Sequence, residues 1–527
     1  MTLPTRSTPF RSPSLPPDSG STRRDVLRQG GVAMAALALA PAAAAAQEAA
    51  SALPAAGTPF SPGLVTDLAR ALAAKPYQRP AADLPESLSG LSRDQYAAIR
   101  TVPGSAIFAG DDLGFTVEPL HRGSVYGDRV TLTLVADGVQ RPVPYDPARF
   151  AEGGPALPAF KDDPGYSGIR IRSRFGGGDL ADFALFQGAS FFRLVASGQR
   201  FGATARALTL RPADPRGEEF PQFRALWIER PAAPHAIVIH ALVESESATA
   251  ALRIDCRPGP ASTAEVSGTL FARAALDHLG LASMTTRYLF GASERRGAED
   301  IRAAVHGSEG LRIRTGANEA IWRPLRNPET LQISSFLDES PKGFGLMQRS
   351  RDYATYQDDI NGWERRPSLW AEPREPWGAG AVSLLEIPSD SDANENVLAY
   401  WRPKEGLAAG AERALAYRLT WGWDAPERLR LAPVTATRSG RGSAEGRRRF
   451  AVDFSGDDFT GGAELQTELT ASPGTIVTRT LYRYPERRTV RVAFELDPAG
   501  AKACELRLLL RRDDRPVTET WLYRWTP

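Results

Sequence analysis

Between His306 and Trp401 the chain concentrates carboxylates, guanidinium groups and large aromatics in three aperiodic stretches. The first runs from Arg351, Asp352, Tyr353, Tyr356, Asp358 and Asp359 to Trp363, Glu364, Arg365, Arg366, Trp370 and Glu372. The second is Pro376-Trp377-Gly378-Ala379-Gly380, and the third, Ile387 to Asn396, carries Asp390, Asp392 and Glu395. This mixture suits sugars. Trp and Tyr rings stack on the C–H faces of a pyranose, Arg and carboxylates take hydroxyls in pairs, and two carboxylates can serve as acid and base on a glycosidic bond. Solvated acidic loops above core tryptophans have the same composition, and composition alone does not separate the two readings.

Other chemistries find no support. His121, His235, His240, His278 and His306 form neither an H-E-x-x-H nor another paired-ligand pattern, so no metal is expected. There is no G-x-G-x-x-G and no P-loop, and no cofactor is expected. The 64 basic and 62 acidic residues nearly cancel, which argues against nucleic acid or an anionic membrane surface as the main partner. Cys256 and Cys504 stand far apart and are expected to be buried thiols rather than a disulfide.

The aperiodic stretches need a rigid frame, and the rest of the chain reads as β. Val130–Leu134, Ile237–Leu242, Leu311–Arg314 and Thr489–Val492 alternate with period two between Gly, Pro, Asp or Asn punctuation. Dense short strands of this kind predict an all-β sandwich architecture with function on its loops. Two helices are expected first. One opens at Ser61-Pro62, with Leu64, Leu68 and Leu72 on one face, and a shorter one runs from Ser92 to about Arg100. The length of 527 residues calls for more than one domain. A boundary is expected after Tyr417–Trp423, giving a large sandwich over 47–425 and a smaller one over 426–527. The latter has strands at Arg449–Phe454, Ile476–Tyr482, Val490–Leu496, Glu505–Leu510 and Thr518–Trp525.

Residues 1–46 read as an export signal. Arg23-Arg24 precedes a mildly apolar run, and Ala44-Ala45-Ala46 before Gln47 offers a cleavage site. The run from Gly30 to Ala46 is short and interrupted by Pro41, unlike a membrane span. The arginine pair points to the twin-arginine route, so the mature chain is expected in the periplasm with no membrane span.

Several segments also resemble the periplasmic glucan biosynthesis G/D family. Gly188-Ala189-Ser190-Phe191-Phe192-Arg193 is similar to its GASYFR stretch. Gly217-Glu218-Glu219-Phe220-Pro221, Trp227-Ile228-Glu229-Arg230-Pro231, Trp322-Arg323-Pro324-Leu325 and Gly343-Phe344-Gly345-Leu346 with Gln348-Arg349 follow in the same order. Arg351-Asp352, Arg366-Pro367-Ser368, Trp377-Gly378 and Val397-Leu398-Ala399-Tyr400-Trp401 complete the series. The twin-arginine signal is more like the D side of the family. The resemblance implies a large mutarotase-like β-sandwich followed by an immunoglobulin-like one. It also implies action on the β-1,2-linked glucose backbone of osmoregulated periplasmic glucans, and the inner-membrane glucan synthase as a further partner. Characterised members cleave such glucan internally with inversion. An acid protonates the scissile oxygen, and a distant carboxylate acts as base through water and hydroxyls.

Two positions depart from the family pattern. The acid is an Asp in a segment like ETNDNIVAYW, and the matching residue here is Glu395 in DANENVLAYW. The base is an Asp directly after a His, and the matching position after His306 is Gly307, which has no side chain. Glu309, or Asp359 from the Asp352–Asp359 loop, is then expected to stand in for the base. Trp322, Tyr356 and Trp370 are expected as stacking platforms, with Arg323, Asp352, Arg366 and His306 as further substrate contacts. The expected reaction is cleavage or transglycosylation of β-glucan. The alternative is a glucan-binding or scaffold protein without turnover.

Overall fold

The computed structural model describes residues 57–80, 83–102, 104–150, 157, 163–295, 299–461 and 464–527. The export segment expected at 1–46 lies outside them. The fold is an all-β sandwich, as expected. One layer is a ten-stranded sheet whose main path uses nine strands. In chain order these are β1 (Phe115–Leu120), β2 (Gly168–Ser173), β3 (Ala181–Gln187), β4 (Phe191–Leu194), β5 (Thr204–Arg206), β6 (Leu279–Thr286), β7 (Gln332–Glu339), β8 (Ala379–Glu386) and β9 (Val397–Pro403). Their spatial order is β1-β2-β3-β4-β5-β6-β9-β8-β7. The other layer is a fifteen-stranded sheet running from Gln466–Ser472 at one edge to Val139–Pro142 at the other.

Alternation assigns the faces. Ile169 and Ile171 of β2, Phe192 and Leu194 of β4 and Val382 and Leu384 of β8 point into one core. Leu252, Ile254, Val266 and Leu419 of the larger sheet meet them there. Successive side chains on a strand take opposite faces, so the residues between them on β2, β4 and β5 are turned outward.

The first helix, α1 (Pro62–Ala73), lies on the far side of the larger sheet. Thr249 donates through Oγ1 to the Ala69 carbonyl at 2.7 Å, and Arg273 donates to the Leu72 carbonyl at 2.9 Å. Its buried line is Val65 and Ala69, with the leucines at the margins. The helix expected from Ser92 is Arg93–Ala97, opened by a capping box between Ser92 and Gln95. It stops short of Arg100 because Thr101 leaves to bridge with Phe150. A further turn at Glu86–Ser89 was not foreseen.

A second core gathers Phe450, Val452, Val492, Phe494, Leu508 and Trp521 from the C-terminal strands with Trp322, Met347 and Trp370 from upstream. The larger sheet runs through this region without a break. Ile321 and Trp322 pair in parallel with Thr520 and Trp521. Cys256 and Cys504 are buried and free, as expected.

Candidate functional site

The outward face of the ten-stranded sheet positions the candidate acid. On β5, Ala205 goes to the core and leaves Thr204 and Arg206 on the other face. Thr204 pairs with Thr285 of β6. The two hydroxyls converge on Glu395. Thr204 Oγ1 donates to Oε1 at 2.8 Å, and Thr285 Oγ1 donates to Oε2 in a short bond. The carboxylate of Glu395 is thus held across two strands, by side chains that only the alternation of β5 and β6 brings together.

The turn bearing Glu395 is fixed on both sides. Asn396 donates to the carbonyls of Tyr288 at 2.9 Å and Ile387 at 3.0 Å, and accepts from the Tyr288 amide at 2.9 Å. On the other side Arg302 binds Asp392 at 2.6 Å and Asp358 at 3.0 Å, and grips Asp300 through Nε and Nη2 at 3.0 and 2.7 Å. The side-chain bonds to Asp300 lead in raising the Arg302 guanidinium above its ordinary value. Burial alone would push the Asp358 carboxyl up. The bonds from Asn361, Arg302 and Trp363 outweigh it and hold the group well below the usual carboxylate range. One guanidinium therefore ties three loops together around the Glu395 turn.

The position matching the family base lies beside the same strand end. The Gly307 amide donates to the Arg287 carbonyl at 2.8 Å, and Ser308 Oγ donates to Thr286 Oγ1 at 3.0 Å. A Cβ at Gly307 would meet Thr286 Oγ1 at 2.9 Å, and the next atoms stand at 3.9 Å. Glu309, two residues on, faces elsewhere. Its carboxylate accepts from the amides of Arg349 and Ser350 at 2.8 and 2.9 Å and from the Ser350 hydroxyl.

Several expected substrate contacts are corrected by their burial. Trp322, Tyr356 and Trp370 are 4%, 0% and 2% exposed, so none presents a ring face to a sugar. Arg349 already covers the Trp322 ring, with its guanidinium carbon 3.5 Å from the centroid. Arg323 is buried in an ion pair with Glu386 at 3.0 Å. His306 is buried between Tyr288 and Tyr356 and faces Gln348 Oε1 at 3.0 Å. Burial pushes its imidazole down from the ordinary value. Tyr356 donates to the Ser350 carbonyl at 3.2 Å. Asp352 and Asp359 are exposed. The first caps a short turn through the Ala354 amide at 3.0 Å, and the second accepts from the Tyr353 hydroxyl at 2.8 Å. Arg366 is half-buried and donates to the carbonyls of Phe201 and Asn361.

The outward face carries residues that the family-like motifs contain but that were not expected at the site. Arg193 of β4 lies two residues after Phe191 on this face. Arg206 lies over the rings of Phe191 at 5.1 Å and Phe220 at 5.7 Å, and Phe220 is 47% exposed. The two rings form an edge-to-face pair, centroids 6.4 Å apart, beside Arg206, which lies two residues along β5 from Thr204. The period-two reading of Phe191–Leu194, with Phe192 and Leu194 inward, was the signal that could have found it.

Residues 60–525 match the family model described as periplasmic glucan biosynthesis protein, MdoG. The glucans biosynthesis protein G of Bradyrhizobium diazoefficiens is 43% identical over 515 residues, covering 96% of this chain and all of that one. The protein of the same name from Rhodopseudomonas palustris is 43% identical over 473 residues, 89% of this chain and 94% of its own. The one from Vibrio cholerae is 40% identical over 475 residues, 89% and 87%.

Proposed function

Because the chain belongs to the MdoG family of periplasmic glucan biosynthesis proteins, we propose that it acts on the β-1,2-linked glucose backbone of periplasmic glucans, with Glu395 as proton donor. The observation that carries this reading is the Glu395 carboxylate. It is held by Thr204 and Thr285 on a polar sheet face, with the Phe191–Phe220 pair on the same face. To donate, one oxygen of Glu395 carries the proton and its threonine hydroxyl rotates away, while the other threonine keeps the carboxyl in place. The sugar ring would lie against Phe220, with Arg366 and the neighbouring arginines taking hydroxyls. Export by the twin-arginine route places the mature chain with such glucans, and no helix among the described residues is long and apolar enough to cross a membrane.

A second reading, glucan binding without turnover, is favoured by one observation. Gly307 offers no carboxylate, and the Glu309 carboxylate is engaged by two amides and a hydroxyl. Incubation of the mature protein with linear β-1,2-glucan separates the readings. New reducing ends or cyclic products are expected. Saturable binding with an unchanged product profile would establish the scaffold reading instead.

A further inference from the structure

The turn that bears Glu395 joins the end of β8 to the start of β9, and its entry limb is held by a short segment, Arg323 to Asn327. Glu386, the last residue of β8, accepts from the Arg326 amide at 2.6 Å and from Arg323 at 3.0 Å. Further along, Ser389 and Asn327 bond in both directions. Asn327 Nδ2 donates to the Ser389 carbonyl at 2.7 Å, and the Ser389 amide donates to Asn327 Oδ1 at 3.0 Å. From Ser389 the turn is stepped toward Glu395 by its own serines. Ser389 Oγ donates to the Ser391 carbonyl at 2.8 Å, and the Ala393 amide donates to Ser391 Oγ at 3.1 Å.

The same segment meets the last strand of the chain. The Arg326 guanidinium takes Glu294 through Nε and Nη2, both at 2.9 Å. Its Nη1 donates to the Arg524 carbonyl at 2.7 Å and to Thr526 Oγ1 at 3.1 Å. Arg326, Glu294 and Glu386 are all buried. A buried ion pair adds little net stability, but breaking it strands a charge, so it holds its elements to one geometry. The exit limb has a route of its own. Asn396 is bonded to Tyr288, whose hydroxyl lies 2.8 Å from Ser293 Oγ, and the Ser293 carbonyl accepts from Ser439 at 3.0 Å. Ser439 belongs to Val434–Arg441, an edge strand of the C-terminal four-stranded sheet.

Both limbs of the Glu395 turn thus lead back to C-terminal strands. We infer that Arg326 and Asn327 are positioning residues for Glu395, and that the C-terminal strands act through them and through Ser293 to set where the carboxylate stands on the sheet face. The inference rests on the reading of Glu395 as the working acid and adds the part of the molecule that aims it. A shift of about 1 Å at a reacting group can cost on the order of 10²-fold in rate. Binding spread over the whole face is far less sensitive to such a shift.

Two variants of half-buried side chains test it, Asn327→Ala on the entry limb and Ser439→Ala on the C-terminal sheet. Amide exchange of the free protein is read at 389–396, and turnover and affinity are read on linear β-1,2-glucan. Both variants should exchange several-fold faster there. The kcat should fall about tenfold in Asn327→Ala and less in Ser439→Ala, at affinity within about twofold of wild type. Asn327→Asp keeps the acceptor for the Ser389 amide and should recover part of the loss. Unchanged exchange at 389–396 in Asn327→Ala would overturn the inference, as would a loss of turnover matched by an equal loss of affinity. An effect of Asn327→Ala with none of Ser439→Ala would overturn the part given to the C-terminal strands. Exchange is read without substrate, so a wild type that forms no product would refute the proton-donor reading and leave the exchange to decide the tether.

Discussion

Replacing Trp370 by alanine empties a buried volume in the second core and should cost about 3–5 kcal/mol of stability. Phe220, half-exposed beside Phe191, should behave in the opposite way. Phe220→Ala should leave the melting temperature nearly intact and weaken glucan binding. Thermal unfolding and glucan titration of the two variants side by side check the assignment, and a stable Trp370→Ala with weakened binding would reverse it. A second residue-scale prediction concerns pH. Burial and then Arg402 push His278 down to about 4, and its Nε2 lies 2.7 Å from the Tyr400 hydroxyl. The unfolded chain binds a proton there below about 6.5, whereas the folded chain does so only near 4. Stability should therefore fall as pH drops from about 6.5 toward 4, and His278→Gln should flatten part of that fall. An identical slope in the variant would remove His278 from the account.

At the scale of elements, Arg302 is the test case. It joins the loops bearing Asp300, Asp358 and Asp392, and the last leads directly into Glu395. Arg302→Ala would remove the shared partner of three carboxylates, of which Asp358 keeps its bonds from Asn361 and Trp363, and should cost about 1–2 kcal/mol, less than a fully buried pair because Arg302, Asp300 and Asp392 are part-exposed. Faster amide exchange at 389–396 should accompany it, and unchanged exchange there would deny the loops their dependence on Arg302. The strands themselves were legible. Arg449–Phe454, Ile476–Tyr482 and Val490–Leu496 sit within Arg448–Ser455, Thr475–Tyr484 and Thr489–Asp497 because alternation and turn residues are local signals. The Glu395 position was legible through its motif. Its holders, Thr204 and Thr285, lie 191 and 110 residues away and carry no local mark, since only strand pairing brings them together. Trp322 and Trp370 misled because an aromatic in a loop-like motif looks the same in sequence whether its strand turns it out or in. Here the parallel pairing of Trp322 with Trp521 draws it into the C-terminal core.

At the scale of the whole molecule, the larger sheet runs through the division expected near residue 425, pairing Trp322 with Trp521, and the second core draws on residues from both sides of it. The N-terminal arginine pair bears on where this molecule works. Arg23→Lys with Arg24→Lys should hold the precursor in the cytoplasm, as read by cell fractionation, and normal periplasmic yield would reject the twin-arginine assignment. The central claim is that Glu395 donates a proton to a β-1,2-glucan linkage. Glu395→Gln keeps the size of the side chain and one accepted hydroxyl bond, with the other contact reversed so that the amide donates to a threonine hydroxyl, but removes the acid. The direct measurement is the rate at which new reducing ends or cyclic products form from linear β-1,2-glucan, wild type against Glu395→Gln, with glucan affinity measured in parallel. Turnover by the wild type and a loss of about 10²–10⁴-fold in the variant at similar affinity is the predicted result. Equal turnover by the two proteins, or none by the wild type, would contradict it.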